Sequence, residues 1–153
     1  NYKIIANDVI PATNIVSLYV RVGTGGTPTY QSGATDYSWF QQYYIVEGTG
    51  TTMLAGNTGD GNDNQIQFPA GLNNAAPYGA NVELFISNPS QTADYHFVNG
   101  KLGYVRNDAG AEGWHSQVLI QGVYLSTTAV TAIRFVMSSG NITSGTFKLY
   151  GIQ

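Results

Sequence analysis

The sequence predicts an all-β fold, an antiparallel β-sandwich of the jelly-roll type with about eight to ten short strands and little helix. Aromatic and β-branched residues recur in short stretches, separated by clusters of Gly, Pro, Asn and Ser. No window places apolar residues convincingly at the spacing of an amphipathic helix. The 153 residues contain no repeat and no Pro-rich or charged linker, so residues 1–153 are predicted to form a single domain.

Alternation of apolar and polar residues predicts four strands. It is clearest over residues 15–22, where Val16, Leu18, Val20 and Val22 are separated by polar or aromatic side chains. The same pattern recurs in residues 82–87, 118–124 and 132–137. Each of these strands is expected to turn its aliphatic set toward a core.

Residues 36–46 differ, because apolar side chains occupy both parities of the segment. A strand with this pattern is expected to be buried on both faces, centrally in a sheet and covered by a loop or by a neighbouring subunit. Two stretches, residues 23–33 and 55–80, interrupt the strand pattern and are predicted to be long loops.

Residues 144–153 are predicted to form a last strand that pairs with residues 132–137 in a hairpin. The connection between them, Ser-Ser-Gly-Asn-Ile-Thr, favours a turn over a helix. Alternation places Phe147 and Leu149 on one side of this strand, and Thr146, Lys148 and Tyr150 on the other. Truncation after Gly145 is therefore expected to unfold or dissociate the domain.

The ending Ser-Gly-Asn-Ile-Thr-Ser-Gly-Thr-Phe-Lys-Leu-Tyr-Gly-Ile resembles the C-terminal signature of many virion proteins of tailed bacteriophages. Residues 7–14 and 32–39 extend the resemblance more loosely. The resemblance implies a small all-β domain in a tail fibre, a spike or a capsid decoration, exposed on the exterior surface of the virion. It implies self-association, with a trimer as the expected state, and contact with other virion proteins. It supplies no catalytic residues.

Composition excludes several classes of function. The chain has no cysteine, so a disulfide framework and cysteine-based metal sites or nucleophiles are excluded. Only 10% of residues are charged, and the net charge of −3 leaves no basic stripe for nucleic acid or anionic membranes. No apolar run is long enough to insert into a membrane. The chain lacks an initiating Met, so we expect it to be processed or to be part of a longer protein.

A weak calcium site is the single metal hypothesis that the sequence offers, and no other cofactor is predicted. Asp60, Asn62 and Asn64 supply oxygen atoms at alternate positions of a Gly-rich segment. The match to a calcium-binding loop then fails, since Gln65 replaces the required Gly and Gly71 replaces the closing Glu. An ordinary turn explains the same residues.

Catalytic constellations are not evident. His96 and His115 form no metal or triad pattern, and a Gly-x-Ser-x-Gly elbow is absent. The carboxylates of Glu47, Glu83 and Glu112, with six Asp, show no pairing typical of a glycosidase. The charges of Arg21, Arg134 and Lys148 lie at the opposite parity to apolar neighbours, so they are expected to face solvent.

Eleven tyrosines and two tryptophans favour a glycan-binding surface, because aromatic faces stack on sugar rings. The candidates are aromatic residues beside predicted loops: Trp114, Tyr30, Tyr37, Tyr78, Tyr95 and Tyr104. The alternative for each is a tyrosine that packs its ring and keeps its hydroxyl in water.

Three functions follow in order of preference. The first is a non-enzymatic virion structural protein that self-associates and contacts host-surface glycans. The second is a carbohydrate-binding module or an accessory domain of a polysaccharide-degrading enzyme. The third is an enzyme that itself cleaves capsular or cell-wall polysaccharide.

Overall fold

A computed structural model describes residues 1–48, 53–68, 71–106 and 113–152, and it confirms the all-β prediction. The strands, all paired antiparallel, are β1 Tyr2–Pro11, β2 Leu18–Thr24, β3 Thr29–Tyr30, β4 Tyr37–Val46, β5 Met53–Asp63, β6 Ile66–Gln67, β7 Ala80–Ile86, β8 His96–Arg106, β9 Trp114–Tyr124, β10 Val130–Met137 and β11 Ile142–Gly151. The described ranges contain no helix.

The strands form two sheets of unequal width. The large sheet has seven strands in the order β11-β1-β7-β8-β9-β4-β5. The small sheet has four strands, with β10 on one side of β2 and the short strands β3 and β6 on the other. The arrangement is sandwich-like, because the inner faces of both sheets contribute to one buried apolar cluster. The jelly-roll subtype stays a prediction.

Alternation sets the inner faces as expected. In β7, Val82, Leu84 and Ile86 are buried, whereas Phe85 points to the outer face. In β2, Leu18, Val20 and Val22 are buried and pack inward. The strand predicted over residues 15–22 is displaced, because Ile15 has a left-handed backbone with φ of 56° and Val16 forms only an isolated bridge to Leu72.

The predicted pairing of the last two strands in a terminal hairpin is wrong. β10 pairs with β2 in the small sheet, whereas β11 pairs with β1 in the large sheet. The connection therefore crosses from one sheet to the other, and Ser138 N–H donates to Ser17 O at 2.9 Å on the way. Turn-forming residues identify a connection but do not specify the strand that receives its second arm, because that choice depends on long-range pairing.

The predicted long loops are partly strand. Residues 55–80 contain most of β5 and all of β6, and residues 23–33 contain β3. β5 is rich in Gly and Asn and has little intrinsic strand preference. Its formation depends on backbone pairing with β4, from Tyr37–Asp63 to Val46–Met53.

β4 lies inside the large sheet, between β9 and β5, as the sequence predicted. Its second face is not covered within one chain, however: Phe40, Tyr44 and Val46 are 52%, 39% and 44% exposed. The prediction of burial on both faces is therefore wrong for the single chain. The apolar side chains at the second parity lie on the open outer face of the large sheet.

Candidate functional site

Burial removes two of the six aromatic candidates for glycan binding. Tyr37 is 0% exposed and Tyr104 is 7% exposed, so neither ring can stack on a sugar. The Tyr37 hydroxyl accepts a hydrogen bond from Val22 N–H at 2.9 Å and donates to Gln31 O at 3.1 Å. Burial raises the pKa of Tyr37 well above its ordinary range. Tyr37 is thus a structural link from β4 to the small sheet.

The other four aromatic candidates do not come together in one place. Tyr95 is 52% exposed just before β8, whereas Trp114 is half-buried at the start of β9. Because β8 and β9 are antiparallel and Trp114 pairs with Arg106, these two rings lie at opposite ends of the sheet, about 30 Å apart. The connection expected to present Trp114, residues 108–112, lies outside the described residues.

Tyr78 is half-buried in the connection before β7, and Tyr30 lies on β3 in the small sheet with 36% of its surface exposed. The Tyr30 ring has a charged neighbour, since the Arg134 guanidinium carbon lies 5.3 Å from the ring centroid. The structure therefore places the Tyr30 ring against a cation.

The weak calcium candidates lie in or beside β5 and not in a binding loop. Asp60 Oδ1 accepts a hydrogen bond from Asn62 N–H at 2.9 Å, a local contact typical of a turn. Asn64 follows the strand, and its N–H donates to Asp63 Oδ1 at 2.6 Å. Within the described ranges, no three His, Asp or Glu side chains are grouped to hold a metal ion.

The titratable residues weighed for catalysis are dispersed. His96 is fully buried on the inner face, stacked near Tyr124 with ring centroids 6.1 Å apart, whereas His115 is exposed on β9. Lys3 approaches Glu83 at 3.1 Å and Lys101 approaches it at 3.7 Å. The hydrogen bond from Lys3 lowers the pKa of the Glu83 carboxyl. Glu47 lies beyond β4, and Glu112 lies outside the described residues.

One surface is an open cleft of about 760 Å³ where the two sheets separate. Ile133 of β10 lines one wall and Leu149 of β11 the other, while Tyr2 and Ile86 also contribute. Leu149 pairs with buried Ile4 and so belongs to the inner face of the large sheet. It nevertheless remains 63% exposed, because the narrower small sheet ends at β10 and does not cover it.

A second surface is the outer face of the small sheet. Arg134 of β10 lies directly opposite Arg21 of β2 in the ladder, and both occupy the solvent-facing parity that the sequence predicted. The Arg21 Nη2 donates to Gln65 Oε1 at 2.8 Å. The sequence did not predict the arginine pair or the cleft, because each is formed by strands that are far apart in the chain. Only the register of β2 with β10 reveals that the two charges are neighbours.

Comparisons with protein-family models, with curated proteins and with solved structures found no match. Among the described residues, no helix has the length and apolar character needed to cross a membrane.

Proposed function

We propose that this chain is a non-enzymatic structural domain of a tailed-bacteriophage virion, exposed on the particle as part of a tail fibre, a spike or a capsid decoration. We further propose that it self-associates as a trimer, contacts other virion proteins and adopts a jelly-roll sandwich. The resemblance of residues 139–152 supports the virion assignment. The observation that carries self-association is the uncovered apolar edge formed by β11.

β11 has the properties of a strand that receives a partner. In the described chain it pairs on one side only, with β1, so its other edge presents free backbone N–H and C=O groups. Its exposed inner-facing side chains are apolar, with Phe147 40% and Leu149 63% exposed. Lys148 is its single charged residue. Proteins usually protect such an edge with several charges, a proline or a covering segment.

The opposite edge of the same sheet provides an internal comparison. Among the described strands, β5 also pairs on one side only, but its sequence contains Asp60, Asp63 and three glycines. Its two apolar residues of any size, Met53 and Leu54, lie at one end. A polar, glycine-rich edge gives a partner strand little apolar surface to bury. We therefore place the contact between copies at β11 and not at β5.

The occupant that fits the cleft is a second copy of this chain. A three-fold contact is heterologous, so the β11 edge of one copy lies against the β10 side of the next copy's cleft, and burial of Leu149, Phe147 and Ile152 there removes exposed apolar surface from water. The free backbone groups of β10 and β11 border the cleft on both sides. Such edges accept another extended backbone by strand addition.

Detection of the chain on intact particles tests the virion assignment. Antibodies raised against the purified chain should label purified phage particles without disruption, and the copy number per particle should be a multiple of three. Absence of the chain from purified particles would overturn the assignment. Labelling that appears only after disruption would contradict exposure on the surface.

A carbohydrate-binding module is the second candidate, and the contact between Tyr30 and Arg134 is the observation that favours it. This function predicts a stable monomer that binds sugar without assembly. Light scattering on the isolated chain separates the two, since a monomer with measurable sugar affinity would support the module and contradict the virion trimer.

A further inference from the structure

The outer face of the small sheet carries an unusual pair of like charges. Arg21 and Arg134 are two of the six Lys and Arg residues in the whole chain, and they occupy directly opposite positions of β2 and β10. Opposite residues in an antiparallel pair have Cβ atoms about 5 Å apart, and like charges placed there repel. With so few cations available, this juxtaposition calls for a compensating negative group.

The described part of the chain supplies no such group. Its ion pairs join Lys3 and Lys101 to Glu83 on the large sheet. Asp63 contacts the neighbouring Gln67, whose Nε2 donates to it at 2.6 Å, and also accepts from Trp39 Nε1 at 2.9 Å. It forms no ion pair with either arginine. Within the described residues, neither guanidinium forms an ion pair.

The guanidinium of Arg21 is also short of acceptors. Its Nη2 donates to the neutral Gln65 Oε1 at 2.8 Å, but its Nε is buried with no hydrogen-bond partner. A charged donor without an acceptor is unfavourable, and a planar guanidinium is suited to bidentate contact with a carboxylate. Arg134 is exposed and Arg21 is half-buried, so a ligand can approach the pair from the Arg134 side.

Neutral hydrogen-bonding and aromatic side chains surround the arginines. Tyr30 packs over Gly23, where an added Cβ would lie 3.3 Å from the Tyr30 Cδ1, and its ring faces Arg134. Tyr19 and Gln67 pair across β2 and β6 on the same face. Phenol and amide groups bind sugar hydroxyls, and phenol rings stack on sugar rings.

We propose that this arginine-pair face binds a saccharide that carries a carboxylate, with the carboxylate held between Arg21 and Arg134. The sugar ring lies beside Tyr30 and Tyr19, and the Gln67 amide, which lies on the same face, binds its hydroxyl groups. The inference deepens the glycan contact of the proposed virion domain and rests on that function for the source of the sugar. Nucleic acid is disfavoured, because two arginines on a chain of net charge −3 do not match a polyanion.

Titration of the full chain with free glucuronate, followed by NMR, tests the site against two control ligands. Glucose tests the need for the carboxylate, and inorganic sulfate tests the need for the sugar, all at matched ionic strength in chloride. We expect glucuronate to bind at least about tenfold more tightly than either control. Equal affinity for sulfate would reduce the site to a simple anion site and overturn saccharide recognition. Equal affinity for glucose would overturn the role of the arginines.

Charge-removing variants locate the binding. Arg21→Gln and Arg134→Gln should each weaken glucuronate binding about tenfold or more, whereas Lys101→Gln, which removes the same charge from an exposed position of β8, should bind as the parent does. Arg21→Lys keeps the charge but loses the bidentate geometry, so it should also bind weakly. Circular dichroism checks that each variant is folded. If Arg21→Gln does not fold, Arg21→Lys provides the test. Unchanged affinity in both arginine variants would overturn the proposal.

Light scattering on the same variants distinguishes a protein ligand from a sugar. If Arg21→Gln or Arg134→Gln lowers the assembly mass, the pair binds a carboxylate of a second copy, and the saccharide proposal is wrong. If the mass is unchanged and glucuronate does not bind the parent chain, the saccharide proposal again fails while self-association stands. Weakened glucuronate binding by the arginine variants, with an unchanged assembly mass, supports the saccharide proposal.

Discussion

At the scale of single residues, Tyr37 shows how one buried hydroxyl joins the two sheets. Its ring belongs to β4 of the large sheet, while its hydroxyl accepts the Val22 N–H of the small sheet. Tyr37→Phe leaves this N–H without an acceptor, which should lower the free energy of unfolding by about 1–3 kcal/mol. Urea denaturation at neutral pH measures the loss. A change within error would show that water replaces the hydroxyl.

The same residue predicts a difference at alkaline pH. Burial raises the pKa of Tyr37 in the folded chain, whereas an unfolded tyrosine titrates near pH 10. The contribution of the neutral hydroxyl is therefore complete below about pH 10 and is lost as the pH rises above it. The difference in stability between the parent and Tyr37→Phe should shrink from pH 8 to pH 11. A constant difference would contradict this.

Ile15 carries local backbone strain. It adopts φ of 56°, a left-handed conformation that is unfavourable for a β-branched side chain, and it is 47% exposed. Asn tolerates this conformation, so Ile15→Asn should raise the free energy of unfolding by about 0.5–1 kcal/mol. Val46→Asn, at a similarly exposed position in β4, is the control and should give no gain. Equal effects would contradict a conformational cause.

For single residues, the sequence predicted correctly which face of a strand a side chain occupies, because that depends on its position in the apolar–polar alternation. It placed Arg21 and Arg134 on a solvent-facing side, and the structure agrees. It did not detect the burial of Tyr37 and Tyr104, because tyrosine is equally suited to a wet loop and to the interior of a sandwich. Which of these a given ring occupies depends on the opposing sheet, and local sequence does not encode that sheet.

At the scale of elements, alternation predicted the strands but not their partners. The strands that correspond to β2, β7, β9 and β10 are all present, with shifted ends. β5 was missed because Gly and Asn resemble a loop, and the hairpin was wrong because two adjacent strands joined different sheets. Pairing over long sequence separation is what the local pattern leaves open.

Truncation after Gly145 is still expected to destabilise the domain, but because it removes the partner of β1 and not the partner of β10. Removal of residues 146–153 deletes the partner of β1 from Tyr2 to Asn7 and the contact of Phe147 with Phe135, whose ring centroids are 5.1 Å apart. Ile4 and Ala6 then lose cover, so the melting temperature should fall substantially. Deletion of Gln153 alone is the control for length. A truncated chain that stays folded and assembled would contradict this role.

At the scale of the whole molecule, the two sheets do not match in width. Seven strands face four, so inner-facing side chains of the large sheet extend beyond the small sheet. At β5 that overhang is mostly Gly, Thr and Asp, whereas at β11 it is Phe147 and Leu149. On the inner face of the large sheet, the uncovered apolar surface therefore lies mainly at the β11 edge, where the cleft opens. The sequence pattern revealed each strand but not this mismatch, which depends on the order of strands.

The mass of the assembly in solution, by light scattering, tests the central claim that the β11 edge joins copies of the chain. Leu149→Glu and Met53→Glu place the same charge at positions 63% and 62% exposed, on the two opposite edges of the large sheet. The parent chain and Met53→Glu should have three times the 16.4 kDa monomer mass, whereas Leu149→Glu should be a folded monomer. A monomeric parent chain, or a trimer that survives Leu149→Glu, would contradict it.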